Sequence, residues 1–312
     1  MSMNKEVDDE KESSQMANES PFVQVSPSTW HLNGDKVRLI LVRNGEPCDR
    51  LHSAWRFKAF PSDGRYHTMD LNQPTKVISR PNAADSFKND SPLTAVGSVC
   101  SQFVGRAIGM RGIRVHAVYC SPSLRCIQSC SSVLSMSMQK HQPRICVEPG
   151  LFEPLSFYWQ DGVPKFLSAE EMSEHGYPMD RDYQPIISVN QLNEELYKEK
   201  SVSDLYKRLK KVAEMLMESC NRISDGAILV VCHATTIDAI VRHFQERRDL
   251  PHGSHDLIRC GLAYPFGSTV VLEREFRSAI RTTKAKWELN TDTIPPISFL
   301  HMSNQIQVPR YE

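Results

Sequence analysis

Four short apolar runs rich in β-branched residues punctuate the chain: VRLILV at 37–42, VHAVYC at 115–120, RICVE at 144–148 and AILVVC at 227–232. Their length and composition read as strands. Between them lie stretches with apolar residues at helical spacing. One runs from Leu93 to Met110, with Ser91 before Pro92 marking its start. A second runs from Pro122 to about Met138 with proline in its opening turn, a third from Val202 to about Cys220, and a fourth from Thr235 to about Phe244. Strands that alternate with helices predict an α/β domain, a three-layer sandwich whose mostly parallel sheet is covered by helices on both faces. STVVLE (268–273) and KWELN (286–290) are candidates for late or edge strands. Two long connections, from 44 to about 90 and from 149 to 200, are left without strong periodicity, the second rich in Trp, Tyr, Phe and Pro.

Residues 1–20 carry two lysines against six acids and almost nothing to bury, so 1–33 reads as a disordered acidic tail and 34–312 as the folded domain. Such a leader does not read as a secretory signal. Lys+Arg (37) equals Asp+Glu (37), which leaves no excess positive charge for a phosphate backbone and argues against a nucleic-acid partner. No run approaches the length of a membrane span. The nine cysteines are odd in number, unpaired in spacing and partly inside strand-like runs, which fits reduced thiols and a cytoplasmic setting.

Parallel sheets bind ligands beyond the carboxyl ends of their strands, so the residues just after each run matter most. They are Arg43, Asn44, Gly45 and Glu46 after the first; Ser121 to Arg125 after the second; EPGLFE, ending in Glu153, after the third; and His233 after the fourth. Taken singly, each has an ordinary reading: a surface ion pair, a solvated carboxylate, a hydrogen-bonded core histidine. Together they would place two guanidinium forks, an imidazole and a carboxyl on one rim, a set suited to gripping a phosphoryl group. Arg125 would also sit in the first turn of its helix, where free backbone N–H groups favour an anion. Arg43, Arg125 and His233 are therefore expected to converge on one oxyanion.

LVRNGE, YCSPSLRCIQS, VEPGLFE and ILVVCHATTIDAI, in that order, resemble the histidine phosphatase superfamily, the phosphoglycerate-mutase-like fold. DLNQP (70–74) and SPLTAVG (91–97) resemble the branch that holds the phosphatase domain of the suppressors of T-cell receptor signalling and the ecdysteroid-phosphate phosphatases. The resemblance covers about 34–300. It implies that Arg43 and Arg125 grip phosphate, that Glu153 donates a proton to the leaving oxygen, and that His233 hydrogen-bonds the transferring group. It also implies a phosphorylated small molecule or phosphoprotein as ligand, and pairing of two copies.

Two positions depart from that pattern. Asn44 stands where the family's nucleophilic histidine would be, and Pro47 where this branch has an arginine. A carboxamide nitrogen has its lone pair delocalised into the carbonyl and cannot replace imidazole as a nucleophile. Asn44 can still donate a hydrogen bond to a phosphate oxygen. Pro47 removes a cation and a backbone N–H. The expected function is thus a pseudophosphatase that retains a phosphate pocket. An active phosphomonoesterase, with Glu153 or His233 activating water, and a non-enzymatic scaffold are the alternatives.

Other chemistries fit less well. Cys120-x4-Arg125 is one residue short of the Cys-x5-Arg loop of thiol phosphatases, so Cys120 reads as a structural thiol. Cys126 and Cys130 share a helix face without a second pair to complete a zinc set, and no metal or other cofactor is expected. His252 and His255 read as a surface pair in a loop. Phe152, Phe157, Tyr158, Trp159 and Phe166 read as lid or core packing, with a substrate platform beside Glu153 as the other reading.

Overall fold

The computed structural model describes residues 36–52, 54–276, 286–299, 302–303 and 306; the leader expected over 1–33 lies outside them. Six strands form one sheet: β1 (Lys36–Arg43), β2 (Val115–Cys120), β3 (Ile145–Val147), β4 (Gly226–Cys232), β5 (Thr269–Glu275) and β6 (Glu288–Asn290), in the order β3-β2-β4-β1-β5-β6. The first four strands in that order are parallel, while β5 runs antiparallel to β1 and β6 antiparallel to β5. The segments expected as late strands are therefore the antiparallel edge of a mostly parallel sheet.

Five longer helices cover it: α1 (Ala95–Met110), α2 (Leu124–Met136), α3 (Val202–Asn221), α4 (Ala234–Phe244) and α5 (Ser254–Ala263). Alternate residues of each strand face opposite layers. Ile40, Val42, Leu229 and Val231 pack with Val104 and Ile108 of α1 and with Ile127 and Val133 of α2. Leu39, Leu41, Ile228 and Val230 pack with Val212 and Leu216 of α3 and with Ile237 and Ile240 of α4. Both faces of β1 and β4 are buried, and this is why their sequences are continuous apolar runs rather than alternating ones.

Three local readings of the sequence change. α1 starts after Thr94, whose side chain accepts from Gly97 N, and not at Ser91–Pro92. Pro92 and Leu93 are drawn out of the helix because Leu93 bridges Pro47 and the Pro92 carbonyl accepts from Cys48 N. α2 opens at Ser123, leaving Pro122 outside. The segment holding His255 is helix α5, not a loop; only Leu257 and Cys260 of its ten residues are buried, so its periodicity is faint.

The register aligns the carboxyl ends. Arg43 lies opposite Cys232, and Cys120 opposite both Val231 and Val147. The residues that follow these strands consequently share one rim. β5 runs the other way, so its amino end reaches the same rim, where Arg43 N donates to Ser268 O at 2.9 Å and Gly267 N to Asn44 O at 3.2 Å.

Candidate active site

The turn after β1 is fixed by contacts from three sides. Asn44 N donates to Cys232 O at 3.0 Å, and Gly45 N to the Ser129 hydroxyl of α2 at 2.9 Å. Gly45 and Gly97 touch backbone to backbone: a Cβ on Gly45 would lie 2.4 Å from Gly97 O, so neither position tolerates a side chain. Glu46 Oε1 accepts from Asn72 Nδ2 (3.0 Å) and from the Thr94 hydroxyl (3.1 Å). Asn72 in turn accepts from Ala95 N and Val96 N at the start of α1. The DLNQP and SPLTAVG motifs therefore act locally, by bracing the Arg-Asn-Gly-Glu turn.

A cavity of about 300 Å³ opens above this turn. Its walls include all five residues expected there, Arg43, Asn44, Arg125, Glu153 and His233. Sequence reading did not single out Arg50, Asn89 and Phe266, which also line it. Of the aromatic group beside Glu153, Phe157 and Tyr158 are cavity wall. Phe152 is core, packing against Tyr158, Phe166 and the edge of the His233 ring.

Asn44 is buried, and its carboxamide Nδ2 donates to Gly45 O at 2.9 Å. His233 caps the end of β4 and is also buried. Its Nε2 lies 2.7 Å from the Ser121 hydroxyl and 3.7 Å from Cys126 Sγ; its Nδ1 lies 3.4 Å from the Arg125 guanidinium, which can only donate. These neighbours place the proton on Nε2. Burial pushes the His233 pKa down to about 3, outweighing the opposing pull of Glu153, so the ring is neutral. The 3.8 Å approach of Glu153 to its Nδ1 is accordingly not an ion pair.

Arg125 and Glu153 form a close ion pair, and the Tyr158 hydroxyl donates to the same Glu153 oxygen at 2.5 Å. Burial alone would raise the Glu153 pKa, but the Arg125 guanidinium, helped by the hydrogen bond from Tyr158, holds it at about 2. Glu153 is therefore ionised in the unliganded site. Arg43 directs one terminal nitrogen at the carbonyls of Gly261 (2.7 Å) and Tyr264, at the end of α5, with its guanidinium over the Phe266 ring. Burial lowers its pKa to about 10.

The expected convergence is thus met in part. Arg43, Arg125 and His233 share one cavity, but in the unliganded chain Arg125 is held by Glu153. The free helix end expected at Arg125 is corrected as well. Leu124 N donates to Asp90 Oδ1 at 2.7 Å, and Asp90 is itself paired with Arg80, so an internal carboxylate already occupies the amino end of α2.

The Glu153 loop is braced from behind by a residue that the sequence showed only as one charge on an amphipathic helix. Arg208 of α3 is buried and donates to the carbonyls of Gly150 and Phe152 (both 2.8 Å) and of Glu153 (3.1 Å). Glu199 holds Arg208 at 2.7 Å and also accepts from Leu155 N, on the far side of Glu153.

A neutral, buried His233 has a consequence for stability. The unfolded chain takes up this proton near pH 6.5, whereas the folded chain does so only near 3. Stability is therefore complete above about 6.5 and falls as pH drops towards 3, by up to about 1.4 kcal/mol per pH unit. Thermal melts should show His233→Gln flattening the melting-temperature profile between pH 6.5 and 5. An undiminished slope in that variant would contradict the neutral ring.

The strand ends of this α/β sheet thus gather two arginines, a carboxylate and a histidine around one cleft. The chain belongs to the histidine phosphatase superfamily (branch 1), whose family model matches residues 82–255. It is 34% identical over 237 residues to the ecdysteroid-phosphate phosphatase of Drosophila melanogaster, covering 76% of this chain and 30% of that one. It is 31% identical over 207 residues to human ubiquitin-associated and SH3 domain-containing protein A, covering 65% of this chain and 30% of that one. The chain thus spans about a third of the length of these relatives. The fold matches that of the ecdysone phosphate phosphatase of Bombyx mori, crystallised with tungstate, with a TM-score of 0.68 at 23% identity over 85% of this chain and 95% of that one. Among the described residues, no helix is long and apolar enough to cross a membrane.

Proposed function

We propose that this chain is a catalytically impaired histidine phosphatase, a pseudophosphatase whose pocket binds a phosphorylated ligand. The observation that carries the reading is Asn44. It lines the cavity beside Arg43, Arg125 and His233, at the position where the family resemblance puts the nucleophile, and its carboxamide has no lone pair to offer phosphorus. The charged and hydrogen-bonding groups around it remain. An entering phosphoryl group would take the Arg125 guanidinium from Glu153, accept from Arg43 and Asn44, and sit against His233. The ligand is a phosphorylated small molecule or a phosphoprotein. A relative named for a steroid phosphate makes the first class a candidate, and the two copies of this chain would pair as the resemblance implies.

A second reading has one observation in its favour. Glu153 is ionised, which suits it to accept a proton from water rather than to donate one. Direct attack by water would then give slow phosphomonoester hydrolysis. With pKa values near 2 and near 3, Glu153 and the neutral His233 are both weak bases, so either would support only slow attack by water.

Purified protein should hydrolyse an aryl phosphate at less than about a thousandth of an active relative's rate, by analogy with nucleophile loss in other coupled catalytic sets. Millimolar sulfate or vanadate should raise its melting temperature by mass action, and Arg125→Ala should abolish that rise. Robust turnover that disappears in Glu153→Ala would replace the pseudophosphatase with the water-attack enzyme. Neither turnover nor an anion response would leave the scaffold reading.

A further inference from the structure

We propose that Arg50 is an anion-binding residue of this pocket, supplying to a phosphate dianion the guanidinium contact that Pro47 cannot make. The proposal rests on the phosphate-pocket reading above and names the residue that captures the anion.

The local sequence sets this up. Pro47 is tied to Leu93 through a strand-like bridge, and Cys48 is buried with its N–H on the Pro92 carbonyl. The chain then makes a single 3-10 turn over Cys48–Arg50, closed by Arg50 N donating to Pro47 O at 3.0 Å. That turn brings residue 50 back over the cavity that Pro47 also lines. A side chain three positions along thus returns to the wall vacated at position 47.

The charge arrangement points to a ligand. The Arg50 guanidinium lies 5.9 Å from the centre of the Phe266 ring, and Arg43 lies 3.9 Å from the same ring. The two cations are close enough for Arg50 to depress the Arg43 pKa, as Arg125 also does. Like charges gathered at a cleft repel one another, and an anion placed between them removes that cost. The three guanidinium groups also differ in what already holds them. Arg125 is paired with Glu153 and Arg43 is turned to two backbone carbonyls. Arg50 is exposed and, among the described residues, its side chain makes no hydrogen bond or ion pair. It can meet an anion with its full set of donors and without giving up a protein partner. Asp49 stands on the same rim, and the competing account is that Arg50 merely balances it.

The test is sulfate affinity, measured by calorimetry and by melting-temperature shift on the full chain, for wild type, Arg50→Ala, Arg50→Lys, Asp49→Asn and Pro47→Arg with and without Arg50→Ala. Arg50→Ala should weaken sulfate binding about tenfold or more, equivalent to about 1.4 kcal/mol, and Arg50→Lys should recover only part of it. Pro47→Arg should strengthen binding more in the Arg50→Ala background than in wild type, since the two side chains serve one contact. Unsupplemented melts report whether each variant is folded. If wild type binds sulfate and Arg50→Ala binds it equally well, the assignment of Arg50 is overturned while the pocket stands. The assignment is also overturned if Arg50→Ala and Asp49→Asn produce opposite changes of similar size that both vanish in high salt, the mark of a diffuse field. If wild type itself shows no response to sulfate, the pocket reading fails and Arg50 with it.

Discussion

Replacing Asn44 with histidine is expected to raise aryl phosphate hydrolysis by about a thousandfold or more over wild type, the scale on which other enzymes lose rate with their nucleophile. The turn that carries residue 44 is already fixed by Ser129, by Gly97 and by Cys232, so the substituted side chain enters a prepared backbone. An imidazole there has a lone pair to offer phosphorus, with Arg43 and Arg125 at hand to stabilise the developing charge. The direct readout is acid-labile, base-stable phosphate at residue 44. Adding Pro47→Arg should raise the rate further, while Pro47→Arg alone should remain at the wild-type background. Absence of both turnover and phosphohistidine in a folded Asn44→His protein would show that the pocket has drifted beyond that residue, and would favour the scaffold.

Glu153→Gln should strengthen sulfate binding about tenfold or more, because an anion must displace the Glu153 carboxylate from Arg125 in the wild type. The sign of the pH dependence follows from the same exchange. With Arg125 taken and a dianion beside it, Glu153 loses the partner that holds its pKa at about 2, so the pKa rises and a proton is taken up with the ligand. Wild-type affinity should therefore increase as pH falls, from a weak limit at neutral pH, with the slope confined to the interval between the free and the bound pKa of Glu153. Sulfate suits the measurement because it stays a dianion through all but the acid end of that interval. His233 responds in the same sense from its own low starting value, so the variant should keep a shallower slope rather than none. Equal slopes, or weaker binding in Glu153→Gln, would mean that Glu153 does not compete with the anion.

Much of this site could be read from the chain because its residues follow directly on strands, and a parallel sheet brings such residues together whatever the loops do. Arg43, Asn44 and His233 fall into this group. What could not be read depends on contacts between segments remote in sequence. Asp90 at the start of α2 belongs to a connection with no periodicity, and nothing in it shows that its carboxylate meets Leu124 N. Arg50 follows Asp49 and reads as half of a surface pair until Phe266, far along the chain, is set beside it. Arg208 is one of several basic residues on α3, and its burial against three carbonyls depends on where the Glu153 loop passes. Helix α5 opens at Gly253 without a side-chain cap and leaves Ile258 and Leu262 exposed, so neither its start nor its buried face stands out in the sequence. The direction of β5 was equally undetermined, since an apolar run has the same pattern whether it pairs parallel or antiparallel.

The position of β1 also governs how this protein must be made. Among the described strands the earliest in the chain is an inner one, and both of its hydrogen-bonding edges wait for partners that are made later, β4 at residues 226–232 and β5 at 269–275. During synthesis β1 is therefore an apolar ribbon with two open edges, a template for pairing with other chains. The floor of the pocket, at the end of that strand, can take shape only when the chain has emerged through β5. Such long-range pairing makes for slow folding and reliance on chaperones. It also makes fragments that stop short of β5 prone to aggregate, since they retain β1 without the strand that closes its outer edge.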